Sequence, residues 1–127
     1  MSAKPNIIST IFDNLQYAGQ YSKQTGWHCV DTGAADKSEL IQFAFLPIKQ
    51  NKFEVRFKAY GSIELYAAAE LLCRQAHQKD ITQLKNINIE STLAILNISK
   101  LKSHLVLMIK KNWRNLLEKV EKHANQV

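Results

Sequence analysis

The chain carries two thiols, Cys29 and Cys73, and four histidines, so any metal or sulfur chemistry must be built from few groups. The densest set is His28 and Cys29 with Asp31 close behind. A zinc or iron site needs several nitrogen, sulfur or carboxylate ligands converging on one point, and structural sites are announced by paired cysteine spacings. No CxxC and no such Cys/His spacing occurs. Residues 27–31 read as a short edge strand. Neighbours in a strand point to opposite faces, so His28 and Cys29 do not readily share a metal. Cys73 lies beside Leu72 in an apolar helical run and reads as core. His77 and His123 read as exposed positions at helix ends. There is no phosphate loop, no paired carboxylate arrangement and no supported Ser/His/Asp pattern. The expectation is a protein that is not an enzyme.

A chain of 127 residues suits one domain, expected to span 1–127, with enough length to bury a core without staples. No apolar run approaches the ~20 residues of a membrane helix. The start, MSAKPNIISTIFDNL, has no leader pattern, so a cytoplasmic protein is expected. The net charge is +6 and the pI about 9.4, which favours an acidic partner. The charge is dispersed, densest at Lys100, Lys102, Lys110, Lys111, Arg114, Lys119 and Lys122, without a base-stacking platform. A solvated helix face is the plainer reading, and neither nucleic acid nor membrane is the expected partner.

The elements that must position these groups follow from periodicity. Residues 6–17 place Ile7, Ile8, Ile11, Phe12 and Leu15 at helical spacing. Residues 18–26 and 32–38 read as loops. Residues 39–46 are strand formers. Residues 53–60 alternate, with Phe53, Val55, Phe57 and Ala59 on a buried face and Glu54, Arg56, Lys58 and Tyr60 on a wet one. A hairpin through Pro47 and Gln50-Asn51 joins the two strands. Residues 63–78 read as a helix, with Ser62 as N-cap and Glu64 in the first turn. Residues 80–96 hold one or two short helices. The final helix covers about 100–123, with Leu101, Leu105, Ile109, Trp113, Leu116 and Val120 as its apolar stripe. The fold class is α+β: a small antiparallel sheet of about three strands with helices packed on one face.

The segment Phe57-Lys58-Ala59-Tyr60-Gly61-Ser62 resembles the FKTYGC segment of IscU and NifU N-terminal domains, the iron–sulfur cluster assembly scaffolds. Three further segments follow in the same order. Residues 11–19, IFDNLQYAG, are similar to HYENPRNVG; residues 33–39, GAADKSE, to GAPACGD; and residues 96–103, LNISKLKS, to LPPVKIHC. The resemblance spans most of the chain and implies an IscU/SufE-like fold.

It also implies a ligand set, and the chain departs from it throughout. Lys37 and Ser62 stand at the first two cysteine positions, Glu39 at the aspartate, Lys102 at the histidine and Ser103 at the last cysteine. Clusters want soft thiolates; a serine hydroxyl stays protonated and an ammonium repels iron. No cofactor is therefore expected, although an iron–sulfur cluster, zinc or iron would be the family's. The two lysines imply either an ion pair with Glu39 or an anion held with help from the helix starts at Ser62 and Ser103. Both prolines of the chaperone-recognition stretch are gone.

Three functions follow as expectations. The first is a contact protein of iron–sulfur assembly, binding a cysteine desulfurase or another assembly protein. The second is a metal, cluster or sulfur site relocated to Cys29, with His28, Glu39 and His104 as neighbours. The third is a basic module for an acidic partner outside iron–sulfur chemistry.

Overall fold

The computed structural model describes residues 6–36 and 38–126. Its centre is the hairpin of β3 (Glu39–Ile48) and β4 (Lys52–Tyr60), paired from Leu40↔Tyr60 to Ile48↔Lys52. The alternation in β4 holds: Phe53, Val55 and Phe57 are buried, opposite Phe43 and Phe45 of β3. The turn Lys49–Asn51 places Gln50 and Asn51 at positive φ, which lets two residues reverse the chain.

Among the described residues the sheet has five strands where the sequence predicts about three. The short edge strand is present as β1 (His28–Cys29), paired with Phe45 and Ala44. Residues 33–36, expected as loop, form β2 (Gly33–Asp36) along the same edge of β3. Gly33 and Ala34 lack the bulky side chains that signal strand, so nothing in the pattern marks it. Contact with the last helix holds it instead: a Cβ on Gly33 would lie 1.8 Å from Asn112 Nδ2, and Asn112 is buried. The fifth strand, β5 (Lys79–Asp80), pairs with the start of β4.

The first helix, α1 (Ile7–Phe12), is shorter than the predicted 6–17. Beyond it the chain is drawn out against β4: the Phe57 N–H donates to Tyr17 O at 3.0 Å, and the Gly19 N–H to Phe57 O at 2.6 Å. The buried Glu70 carboxylate causes this, since one of its oxygens accepts the Gln16 and Tyr17 N–H groups at 2.9 and 3.0 Å. Those donors are no longer free to continue a helix.

Glu70 belongs to α2 (Ile63–Ala76), which packs on β4. Two short helices follow, α3 (Ile81–Lys85) and α4 (Ile89–Ala94), as expected. The last, α5 (Ser103–Asn125), packs on β3 and β2. Of its predicted stripe, Leu105, Ile109, Trp113, Leu116 and Val120 are buried, whereas Leu101 is 90% exposed. Leu101 sits in a 3₁₀ turn, Lys100–Lys102, whose three-residue period puts it out of phase with α5. The fold is α+β, with the helices against one face of the antiparallel sheet.

The other face is not wholly wet. Tyr21 and Trp27 bury themselves on Ala44, flanked by Cys29 and Leu46. Lys58 Nζ lies 4.2 Å over the Tyr21 ring and the Arg56 guanidinium 5.4 Å over Trp27, so those β4 cations roof the loop aromatics. Among the described residues no helix is long and apolar enough to cross a membrane.

Candidate functional site

The corner where β4 ends and α2 begins holds three of the positions singled out by sequence, Glu39, Ser62 and Lys102. Gly61 turns the chain at φ +146°, and Ser62 follows with extended backbone before the helix starts. Glu39, the first residue of β3, reaches across and accepts the Ser62 N–H at 3.1 and 3.3 Å through its two carboxylate oxygens. Ser62 occupies the N-cap position, but its hydroxyl does not cap. Its Oγ is buried and caps no N–H of the helix. A carboxylate from a neighbouring strand has taken over part of the cap, being the stronger acceptor and suited to the positive end of a helix dipole.

Lys102 does not pair with Glu39, as the sequence allowed. Its Nζ lies 3.0 Å from Glu64 Oε1, joining the first turn of α2 to the chain entering α5. Burial, the largest single influence, raises the Glu64 carboxyl, yet the hydrogen bond and charge of Lys102, with the backbone N–H of Glu64 and the nearby Ser62 hydroxyl, together hold the group below its ordinary range. The stabilisation is therefore present above the ordinary glutamate pKa and lost as pH falls through the lowered value. Lys102 is half exposed, so the pair is worth at most about 1 kcal/mol. An NMR titration should find the Glu64 midpoint below the usual range, and Lys102→Ala should move it up.

Ser103 is the first residue of α5 and is exposed, as is His104. Lys37 lies outside the described residues. The corner thus brings together Glu39, Ser62, Glu64 and Lys102.

It does not bring in His28 or Cys29, the centre of the proposed relocated site. Cys29 pairs with Ala44, five residues along β3 from Glu39, or about 17 Å at strand rise. The two neighbours do point apart. His28 stacks on Phe45 on the helix side, ring centroids 4.9 Å apart, while Cys29 flanks Tyr21 and Trp27 on the reverse side. Burial, with His123 and Lys119 beside it, holds the His28 pKa below its usual value. His123 is not the exposed helix-end position predicted: it is half-buried, with its ring 5.0 Å from His28 and near Phe45 and Phe53. His77 is half-buried too, against Tyr17. Cys73 is fully buried, as expected, and burial pushes its thiol well up. Among the described residues no three His, Cys, Asp or Glu side chains gather as a metal site.

The donor set at the corner does not fit an iron–sulfur cluster. Its members are a carboxylate engaged by a backbone N–H, a buried hydroxyl and an ammonium held by a second carboxylate, with no thiolate among them. Sequence reasoning treated Glu64 only as a favourable first-turn acid and missed Glu70. The signal for Glu70 was present: a lone acid inside YAAAELLC with Arg74 one turn on.

Gly61 is what lets Glu39 approach. A Cβ there would stand 2.0 Å from Glu39 Oε2, on a backbone that side chains rarely adopt. Gly61→Ala is expected to cost about 1–3 kcal/mol, from strain and the displaced carboxylate. Urea unfolding measures it, and in a Glu39→Ala background the cost should shrink, because the two changes share one contact.

No family model matches the chain, and no curated protein matches it in sequence. Among solved structures it is similar to a hypothetical protein determined by crystallography at 2.3 Å, with a TM-score of 0.62 and 11% identity over 91% of this chain and 94% of that one. At that identity the likeness establishes a shared fold alone: an α+β chain with helices packed on a small antiparallel sheet.

Proposed function

We propose that this chain is a divergent, cytoplasmic relative of the IscU and NifU N-terminal scaffolds that acts by protein contact in iron–sulfur cluster assembly. In this reading it does not serve as a cysteine-based scaffold. The observation that carries the second half is the placement of sulfur. One cysteine is sealed inside α2 and the other lies on the reverse sheet face, while the corner answering to the scaffold's ligand positions is occupied by the Glu39–Ser62 and Lys102–Glu64 contacts. Sulfur transfer needs an accessible acceptor thiolate where the donor docks. The order of the four matching segments supports the family setting.

Contact is favoured by what surrounds the ion pair. Leu101 adjoins Lys102 and is 90% exposed; Ile63 adjoins Glu64 and is exposed; Tyr60, just before the turn, is 65% exposed. Large apolar groups beside a small ionic centre make a surface able to bury against a partner. A cysteine desulfurase is the partner proposed. Titrating purified desulfurase with this chain should give saturable binding that Leu101→Asp weakens by about tenfold or more. No binding by the unmodified chain, or binding indifferent to Leu101→Asp, would contradict the reading.

A further inference from the structure

The C-terminal end of α2, β5, α3 and the start of α4 surround an open cavity of about 580 Å³, lined by Arg74, His77, Lys79, Gln83, Ile87 and Asn88 among others. That volume lies within the usual range of small-molecule sites. None of its lining residues is an acid.

The direction of its hydrogen-bonding groups is set by contacts already made. Gln83 Oε1 accepts the Asp80 N–H at 3.0 Å, and Asn88 Oδ1 accepts the Ser91 N–H at 3.0 Å. Each amide has used its oxygen on the backbone, which leaves the NH₂ group as its remaining capacity. Arg74 spends Nε on Glu70 and one terminal nitrogen on Asn14 O, keeping a further donor nitrogen, and Lys79 has three donors. Gln75 is turned the other way, its Nε2 donating to Thr92 Oγ1 and its oxygen left over, but every charged side chain lining the wall is a cation. Arg74 is already paired with Glu70, so Lys79 supplies the uncompensated charge, and the number of donors suits an oxyanion with more oxygens than a carboxylate. Ile87 and the remaining volume leave room for an organic body beside the charged group.

We infer that this cavity binds a small phosphate ester, with Lys79 and Arg74 meeting the phosphate and the Gln83 and Asn88 amides donating to its oxygens. The site is separate from the corner at Glu39 and Ser62 and stands or falls independently of it.

Inorganic pyrophosphate is the probe, with acetate at equal ionic strength as the carboxylate arm. The expected result is saturable pyrophosphate binding by calorimetry, with the side-chain amide resonances of Gln83 and Asn88 shifting along the titration. Lys79→Glu should weaken binding about tenfold or more, while Lys111→Glu, the same charge change on exposed α5, should leave it nearly unaltered. Lys79→Gln replaces Lys79→Glu if the latter fails to fold. Equal weakening by the Lys79 and Lys111 variants would reduce the effect to diffuse attraction by a chain of charge +6 and overturn the assignment. So would acetate binding as tightly as pyrophosphate, or no saturable binding at all.

Discussion

Replacing Glu70 with alanine should cost about 3–5 kcal/mol, the range for removing one partner from a buried charge pair. Glu70 is wholly buried. One carboxylate oxygen holds the Gln16 and Tyr17 N–H groups, and the other accepts Arg74 Nε at 2.7 Å. Its loss strands two backbone donors and a guanidinium together, and it frees the segment that covers the edge of β4. For a chain of this length the melting temperature should fall by about 10–20 °C. Arg74→Ala should cost less, because Arg74 is about one-third exposed and the carboxylate keeps its backbone donors. Thermal and urea unfolding followed by circular dichroism check both. If Glu70→Ala melted within a few degrees of the unmodified chain, Glu70 would not be the clamp described.

Trp113→Ala should be comparably damaging, at about 3–5 kcal/mol, because the indole fills the space between α5 and the sheet. It is fully buried and meets the Phe43 ring edge-on at 5.2 Å between centroids. The informative variant is Trp113→Phe. The indole Nε1 is buried without a hydrogen-bond partner, and an orphaned donor of that kind carries a penalty of about 1–3 kcal/mol. Phenylalanine removes the penalty along with part of the packing, so the two effects oppose each other. The net loss should be about 1 kcal/mol, well below that of alanine. Urea midpoints for the two variants decide this. Equal losses would mean that the N–H is satisfied in solution.

These two residues also mark where the fold was legible in sequence. Trp113 belongs to a helical stripe, and the alternation of residues 53–60 names the buried face of β4 without further help. Both are local patterns whose period survives folding. What was not legible depends on groups brought together from far apart in the chain. Nothing near residues 13–19 says that Glu70 will seize two of its N–H groups and end α1 early. Nothing in Gly33-Ala34 says strand, because that strand is fixed by Asn112 on α5.

The corner divides the same way. The N-cap position of Ser62 is a local property and was readable. That Glu39 would accept its N–H, and that Lys102 would choose Glu64 over Glu39, depends on how β3, α2 and the entry to α5 meet. The alternation of His28 and Cys29 was likewise readable. Their separation from Glu39 by about 17 Å is a matter of register along β3, set by pairing that the sequence leaves unstated.

The claim that the scaffold-like corner carries contact and not sulfur chemistry is tested most directly by anaerobic incubation of the purified chain with ferrous iron and sulfide, followed by desalting, a visible spectrum and an iron assay. The account predicts a colourless protein whose retained iron is no greater than that of a Cys29→Ser variant. A stable coloured protein that loses its absorbance on Cys29→Ser or Glu39→Ala would contradict it.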